Sequence, residues 1–313
     1  MSPLPLSFSS SVTRRVASVV AGLALAVLPV GSAHAAPMTA APVAASVVAA
    51  AKPTPIPSTC RAAMTLVRPD TTLQLGVVQG RKGTLYSTNS SLGYMPKTIA
   101  YVGTTSKAGV SVDRFFAIDA QGRMHRIVVT ERPVAGGAPG AHTVTLTDTV
   151  IANGWGGVRL IVSSGPYVYG VTTEGGMKRY AVTSSYGLTG AGTVANKGWS
   201  SITSLAYGGW WNLGSGRSAE DLVALTKSGD VKAYMIPRDK PARFTGTTLA
   251  KGWTMFSHLA VGECSKSSSR TLAAVKPNGD VFAYLDTNGN DQSGKDIKNS
   301  GLVATGWTGL ASD

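Results

Sequence analysis

Apolar and polar residues alternate along two segments of the chain that share almost the same pattern. Asp221–Ile236 has the sequence DLVALTKSGDVKAYMI, and Thr271–Asp286 has the sequence TLAAVKPNGDVFAYLD. In both segments the alternation stops at a glycine-bearing turn and then resumes. Alternation with a period of two, interrupted by such a turn, predicts a β-hairpin.

The same pattern occurs three more times, in Leu73–Thr88, Phe115–Val129 and Tyr167–Val182. The predicted turn residues are Gly83, Gly122, Gly175, Gly229 and Gly279, separated by 39, 53, 54 and 50 residues. A second marker, Gly-Trp, occurs at 154–155, 198–199, 252–253 and 306–307, with Gly93-Tyr94 as a degenerate copy. Each marker is followed by a further β-type stretch. Four strands repeated at this spacing predict the blades of a β-propeller.

The two ends of the repeat region complement each other. The last Gly-Trp pair is followed only by TGLASD, one strand without a hairpin, whereas the first hairpin lacks a preceding marker strand. Pairing the C-terminal strand with the first hairpin completes a blade and removes exposed strand edges. The sequence therefore predicts an all-β, five-bladed β-propeller over residues 60–313, closed by this pairing.

The N-terminal region has a different composition. Arg14-Arg15, an apolar run and Ala33-His34-Ala35 are typical of a secretory signal peptide, predicted over residues 1–35. A membrane-spanning helix is the alternative, and Pro29 argues against it. Residues 36–59 consist almost entirely of Ala, Pro, Val, Ser and Thr and predict a flexible linker. We expect a secreted, extracellular protein without a membrane span.

Charge and cysteine content narrow the choice of partners. The formal net charge is +13, but the basic residues are scattered singly rather than clustered. This distribution argues against nucleic acid and is compatible with attraction to an anionic cell envelope. The two cysteines, Cys60 and Cys264, predict a disulfide in an oxidising compartment, with two free thiols as the alternative.

The sequence offers no motif for catalysis or metal binding. His125, His142 and His258 are the histidines that follow the predicted signal peptide, and no G-x-S-x-G, H-E-x-x-H or P-loop motif is present. Residues 286–296, DTNGNDQSGKD, start like a calcium-binding loop. However, Asp291 and Ile297 occupy the positions of its glycine and glutamate, which favours a simple acidic turn. We therefore expect a protein that is not an enzyme and needs no metal or cofactor.

The unit KGWTMFSHLAVG…TLAAVKPNGDVFAYLDT resembles the tachylectin-type and FG-GAP/VCBS-type propeller repeats of secreted proteins, and the resemblance extends over Leu73–Asp313. The tachylectin resemblance implies a five-bladed lectin that binds N-acetylated amino sugars between blades. The acidic calcium loops of FG-GAP repeats are replaced here by stretches rich in serine and lysine, so the resemblance does not imply bound calcium.

Tryptophans are the candidate ligand-binding residues. Trp155, Trp199, Trp253 and Trp307 recur once per blade, where they could stack on a sugar or wedge between neighbouring blades. Trp210, Trp211 and Asn212 are predicted in a loop after an inner strand, where adjacent aromatic residues cannot both easily point inward. An exposed tryptophan beside an amide suits a saccharide or a partner protein. The alternative is a ring that caps the central channel.

These observations favour a lectin-like propeller that binds amino-sugar-containing glycans or another cell-envelope polymer. The alternative is a protein-binding propeller similar to dispase autolysis-inducing protein of secreted actinobacterial type, whose partner is a secreted protease or transglutaminase. For such a partner, candidate acyl-transfer residues are Lys52, Gln74, Gln79, Gln121 and Gln292. Binding to a polyanion such as teichoic acid is a third hypothesis, and it predicts a steep dependence on salt.

Overall fold

The computed structural model describes residues 53–134, 141–265 and 267–312. Within these residues the chain forms five four-stranded antiparallel sheets and two short 3-10 turns, Pro241–Arg243 and Gly289–Asp291. The predicted signal peptide and most of the predicted linker lie outside the described residues. The all-β, five-bladed architecture expected from the repeats is confirmed.

We number the blades in the order in which their outer strands occur along the chain. Blade 1 contains, from the inside outward, β20 (Leu310–Ser312), β1 (Arg61–Val67), β2 (Thr72–Gln79) and β3 (Lys82–Ser91). Blade 2 contains β4 (Thr98–Lys107), β5 (Val110–Ile118), β6 (Met124–Pro133) and β7 (His142–Ala152). Blade 3 contains β8 (Val158–Ser163), β9 (Tyr167–Thr172), β10 (Met177–Val182) and β11 (Leu188–Ala195). Blade 4 contains β12 (Ile202–Gly214), β13 (Arg217–Thr226), β14 (Val231–Pro237) and β15 (Thr245–Ala250). Blade 5 contains β16 (His258–Glu263), β17 (Arg270–Val275), β18 (Val281–Asp286) and β19 (Ile297–Ala304).

The inner strands β4, β8, β12, β16 and β20 each contact the next one around the propeller axis. The two ends of the propeller differ. One end, which we call the turn face, carries the turns between the second and third strands and the connections between blades. The opposite end, the loop face, carries the loops that join the first strand to the second and the third to the fourth.

The first blade differs by one strand from the sequence-based alignment. The C-terminal strand β20 pairs with β1 and does not pair with Leu73–Thr88. That segment forms the β2–β3 hairpin, the third and fourth strands of the blade, and Gly83 lies within β3. The turn between the second and third strands is instead closed by Thr71, whose amide donates to Arg68 O and whose φ is 64°. With Thr71 as the first turn residue, the spacings become 51, 53, 54 and 50.

Each connection between blades is tied to the turn of the preceding blade by one backbone hydrogen bond. The amides of Trp155, Trp199, Trp253 and Trp307 donate to the carbonyl oxygens of the turn glycines, at 2.8–3.0 Å. The acceptors are Gly122, Gly175, Gly229 and Gly279. The fifth copy of this bond joins Leu92 N to Thr71 O at 3.0 Å. Leu92, and not Tyr94, is therefore the equivalent of the marker tryptophan.

Five hydrophobic clusters fill the spaces between neighbouring blades, and each contains one marker residue. Three of the indole rings lie against a tyrosine on the third strand of the next blade, with ring centroids 4.2–4.5 Å apart. The pairs are Trp155–Tyr180, Trp199–Tyr234 and Trp253–Tyr284. In blade 1 the equivalent residue is Gly76, and the ring of Trp307 lies directly against its backbone. The marker side chains therefore pack one blade against the next.

The folded domain begins before Cys60. Ile56 is buried in the cluster between blades 5 and 1, and the amide of Thr54 donates to Asn299 O on β19 at 3.0 Å. Residues 53–59, which were assigned to the flexible linker from composition, are therefore part of the domain. Their composition gave no sign of this because the partner surface belongs to the far end of the chain.

Cys60 and Cys264 form the predicted disulfide. Cys264 follows β16 of blade 5, and Cys60 precedes β1 of blade 1. The bond thus joins the first and last blades on the loop face, across 204 residues of sequence.

Two glycine substitutions separate backbone strain from steric collision. Gly229 and Gly252 have similar left-handed φ angles, 77° and 80°. A β-carbon added to Gly229 would lie 2.5 Å from Thr254 N, whereas a β-carbon added to Gly252 would have no surrounding atom within 4 Å. We expect Gly252→Ala to lower the free energy of unfolding by about 1 kcal/mol and Gly229→Ala by about 3 kcal/mol. Urea denaturation measures both values. Equal losses would show that the close approach at the turn is unimportant.

Removal of the disulfide tests the link between the first and last blades. We expect the Cys60→Ser, Cys264→Ser double substitution to lower the free energy of unfolding by about 4 kcal/mol, because the disulfide closes a very long loop in the unfolded chain. Guanidinium denaturation under non-reducing conditions measures the change. An unchanged midpoint would contradict it.

Candidate ligand-binding cleft

The four marker tryptophans are not available to a ligand in this structure. Trp155, Trp199, Trp253 and Trp307 are only 2–8% exposed, and they lie between blades near the turn face. Of the two roles that the sequence left open for them, their placement is that of a wedge between blades. The candidate site therefore retains only the second group, Trp210, Trp211 and Asn212.

Trp210, Trp211 and Asn212 lie on a strand and not in the predicted loop. They belong to the end of β12, which pairs with β13 as far as Gly214 and Arg217. A bulge between Tyr207 and Gly209 shifts the register of this long hairpin. Trp210 is 55% exposed on the loop face although it belongs to a paired strand.

Trp210 and Trp211 line a cleft of about 500 Å³ that opens on the loop face between blades 4 and 5. Blade 4 also contributes Gly208, Gly209 and Asp221. Blade 5 contributes the end of β16, the loop before β17 and the β18–β19 loop. The residues from blade 5 are Glu263, Ser267, Ser268, Ser269, Arg270, Gly289 and Asn290. The lining combines two indole rings with hydroxyl, amide and charged groups.

A buried ion triad joins the two blades beneath the cleft. Arg270 donates through Nη1 to Asp221 Oδ2 at 2.6 Å, and through Nε to Asp286 Oδ2 at 2.7 Å. All three residues are at most 3% exposed. Two further atoms of the triad, Arg270 Nη2 and Asp221 Oδ1, have no hydrogen-bond partner among the described residues. Buried polar atoms usually have partners, so this pair marks the floor of the cleft as a place for a polar ligand group or water.

Burial raises the pKa of both aspartates in the triad, and the Arg270 guanidinium opposes that rise. For Asp221, a hydrogen bond from Trp211 further favours the ionised form. A tryptophan that lines the cleft therefore contributes to the electrostatics of the buried ion triad. Removal of Arg270 would leave two uncompensated buried carboxylates, which is strongly destabilising.

Glu263 forms part of the cleft wall and is the cross-strand neighbour of Arg270 in the β16–β17 pair. Its side chain lies over the β12 bulge, so close that a β-carbon on Gly209 would come within 2.7 Å of Glu263 Oε1. A β-carbon on Gly208 would likewise lie 2.9 Å from Asp221 Oδ2. The two adjacent glycines thus allow carboxylates from both blades to approach the strand that carries Trp210.

The amide predicted beside the tryptophans has a structural role in this structure. Asn212 Oδ1 accepts a hydrogen bond from Gly214 N at 2.9 Å, and Asn212 does not line the cleft. Asn290 supplies an amide instead, from a turn that the sequence marked only as acidic. Arg270 and Glu263 were also missed. The one signal in the sequence was that Arg270 occupies the repeat position held by Glu220 in blade 4 and Asp113 in blade 2.

A second cluster of titratable groups lies in blade 2. His125 contacts Asp148 through Nδ1 at 2.9 Å and Asp119 through Nε2 at 3.1 Å, and its ring is buried. Although burial raises the pKa of Asp119, hydrogen bonds from Arg123 and His125 hold it well below its usual range. Arg123 and Asp119 belong to the turn at Gly122. This cluster therefore fixes the turn of blade 2 and does not open into the cleft.

Among the described residues, no group of three or more histidine, cysteine, aspartate or glutamate side chains is arranged to hold a metal ion. The acidic segment 286–296 contains the short 3-10 turn Gly289–Asp291, and Thr287 Oγ1 donates to Asp296 Oδ2 at 2.7 Å across this segment. No helix in the described part of the chain has the length and hydrophobicity needed to cross a membrane.

No protein-family model and no curated protein matches the chain. Among solved structures, the crystal structure of AofleA from Arthrobotrys oligospora is similar over 83% of this chain and 91% of its own, with 8% sequence identity and a TM-score of 0.42. Human WBSCR16 is similar over 78% of this chain and 65% of its own, with 13% identity and a TM-score of 0.30. Similarity at this level carries no argument about function, so the tachylectin-type and FG-GAP-type relationships stay hypotheses.

The different placement of the tryptophans leads to a stability test. We expect Trp199→Ala to lower the free energy of unfolding by about 4 kcal/mol, because loss of the indole ring leaves a cavity in the hydrophobic cluster between blades 3 and 4. Trp210→Ala should change it by less than about 0.5 kcal/mol, because that ring is mostly exposed. Chemical denaturation followed by circular dichroism compares the two variants. Similar losses would show that Trp210 also serves the core.

Proposed function

We propose that the protein is a secreted glycan-binding propeller, without enzymatic activity, whose ligand site is the cleft between blades 4 and 5. The observation that carries the proposal is the exposed ring of Trp210 beside a lining of serine, asparagine and charged side chains. A large apolar ring on the surface is costly to leave in water, and it suits the apolar face of a saccharide. The surrounding polar groups suit the hydroxyls at the edge of such a ring.

The sequence pattern and the disulfide support the proposed location. A signal peptide followed by a domain with one disulfide is typical of proteins exported to an oxidising compartment. The proposed ligand is an amino-sugar-containing polymer of a cell surface. On such a repetitive polymer, even weak binding by single sites gives strong attachment when several molecules or sites engage together.

The protein-binding hypothesis has less support. Gln79 and Gln121 are exposed, but exposed glutamines are common on protein surfaces, and Lys52 lies outside the described residues. Gln79 also donates to Ser58 O at 3.1 Å. None of these contacts favours a protease or a transglutaminase as the partner.

Binding by Trp210 can be tested with a matched aromatic control. Tyr86 on β3, the outer strand of blade 1, is 51% exposed and does not line the cleft, so Tyr86→Ala removes a comparable exposed ring. We expect Trp210→Ala to weaken binding to amino-sugar oligosaccharides about tenfold, equivalent to ~1.4 kcal/mol, and Tyr86→Ala to leave it unchanged.

Isothermal titration calorimetry with oligosaccharides of N-acetylglucosamine and of glucosamine measures these affinities. A pull-down on insoluble cell-wall polymer measures binding of the same variants to a multivalent ligand. The proposal fails if wild-type protein binds neither oligosaccharide nor polymer, or if Trp210→Ala binds as tightly as wild type.

A further inference from the structure

The described residues around the cleft carry an excess of negative charge, in contrast to the chain as a whole. The formal net charge of the full sequence is +13. Within the cleft, however, the charged lining residues are Asp221, Glu263 and Arg270, and Asp286 lies directly behind Arg270. Three carboxylates thus accompany one guanidinium in and directly behind the described lining. The net charge of these described residues is opposite in sign to that of the chain as a whole.

Two of the three guanidinium nitrogens of Arg270 are committed to protein carboxylates, and only Nη2 has no partner among the described residues. The guanidinium is bonded to two aspartates at 2.6 and 2.7 Å, and its side chain is only 4% exposed. A charge neutralised twice within the protein attracts an incoming anion weakly. The single arginine therefore does not make the cleft a site for carboxylate, sulfate or phosphate groups.

The carboxylate of Glu263 is, by contrast, on the accessible wall. It belongs to an exposed residue that lines the cleft. It lines the same cleft as the indole of Trp210. Asp221, whose Oδ1 has no hydrogen-bond partner among the described residues, adds a second carboxylate to this lining. Clefts lined by one sign of charge concentrate the field on a ligand of opposite sign.

We propose that this cleft selects a saccharide that carries a protonated primary amine, such as glucosamine, over its N-acetylated form. The inference rests on the proposed function, because Trp210 holds the sugar ring in both cases. Glu263 receives the ammonium group in a charge-assisted hydrogen bond, and the serine and asparagine groups receive hydroxyls. Acetylation removes the charge and adds a methyl group, for which this polar wall provides no apolar pocket.

The ligand class differs from the one implied by the sequence resemblance, which favours N-acetylated amino sugars. It also differs from the teichoic acid hypothesis, because a phosphate polymer would be repelled by Glu263 at this cleft. Partly de-acetylated amino-sugar polymers offer a sugar ring to stack on Trp210 and an ammonium group to bind Glu263. They carry both groups repeatedly along the chain.

The test compares three tetrasaccharides at one pH, built from glucosamine, N-acetylglucosamine and glucose, by calorimetry with the intact protein. We expect the glucosamine form to bind about tenfold more tightly than either of the others. Glu263→Gln should weaken binding of the glucosamine form about fivefold and leave the N-acetylated form unchanged. The matched control is Glu174→Gln, which removes an exposed carboxylate from the turn of blade 3 on the turn face and should change neither affinity.

Each outcome bears on a different step. If the wild-type protein binds the three tetrasaccharides equally and Trp210→Ala binds none of them, the amine selectivity is wrong. The proposed glycan-binding function is then retained. A preference for glucosamine that persists in Glu263→Gln would overturn the assignment of that carboxylate. If no saccharide binds to the wild-type protein, both the selectivity and the proposed function fail.

Discussion

The propeller depends on one repeated contact, in which the backbone amide of a marker residue donates to the carbonyl of a left-handed turn residue in the preceding blade. The amide of Trp253, for example, bonds to Gly229 while its indole packs on Tyr284 of the following blade. Backbone and side chain of one residue thus connect two blades. Because the bond recurs between all five pairs of neighbours, including Leu92 with Thr71, it ties every blade to the next.

The regularity of this contact confines irregular structure to the other face. The turn face is built from short glycine turns that approach the next connection closely, so longer insertions would break the contact between blades. The loop face carries no such constraint, and there the blades differ in hairpin length, charge and aromatic content. The long β12–β13 hairpin with Trp210, the Arg270 triad and the disulfide all lie on this face. Function on a repeat scaffold is expected where the repeat is broken.

The ion triad links stability to the candidate site. Asp221 belongs to blade 4, whereas Arg270 and Asp286 belong to blade 5, so the charge pairs hold the two walls of the cleft together. A buried ion pair of this kind contributes less to stability than its short distances suggest, because desolvation offsets the attraction. Its greater effect here is geometric. It fixes the floor of the cleft that Glu263 and Trp210 also line.

The sequence by itself determined the blade count, the positions of four turn glycines and the disulfide partners, because alternation, glycine turns and a lone cysteine pair are local or countable signals. It did not determine the register of blade 1. Thr71 and Leu92 replace the glycine and tryptophan there, and period-two alternation cannot distinguish a hairpin of the second and third strands from one of the third and fourth. Only the tertiary structure decided which tryptophans are buried. Only it brought Glu263 and Arg270 to Trp210, because residues about fifty positions apart meet through the angle between neighbouring blades, which no short stretch of sequence encodes.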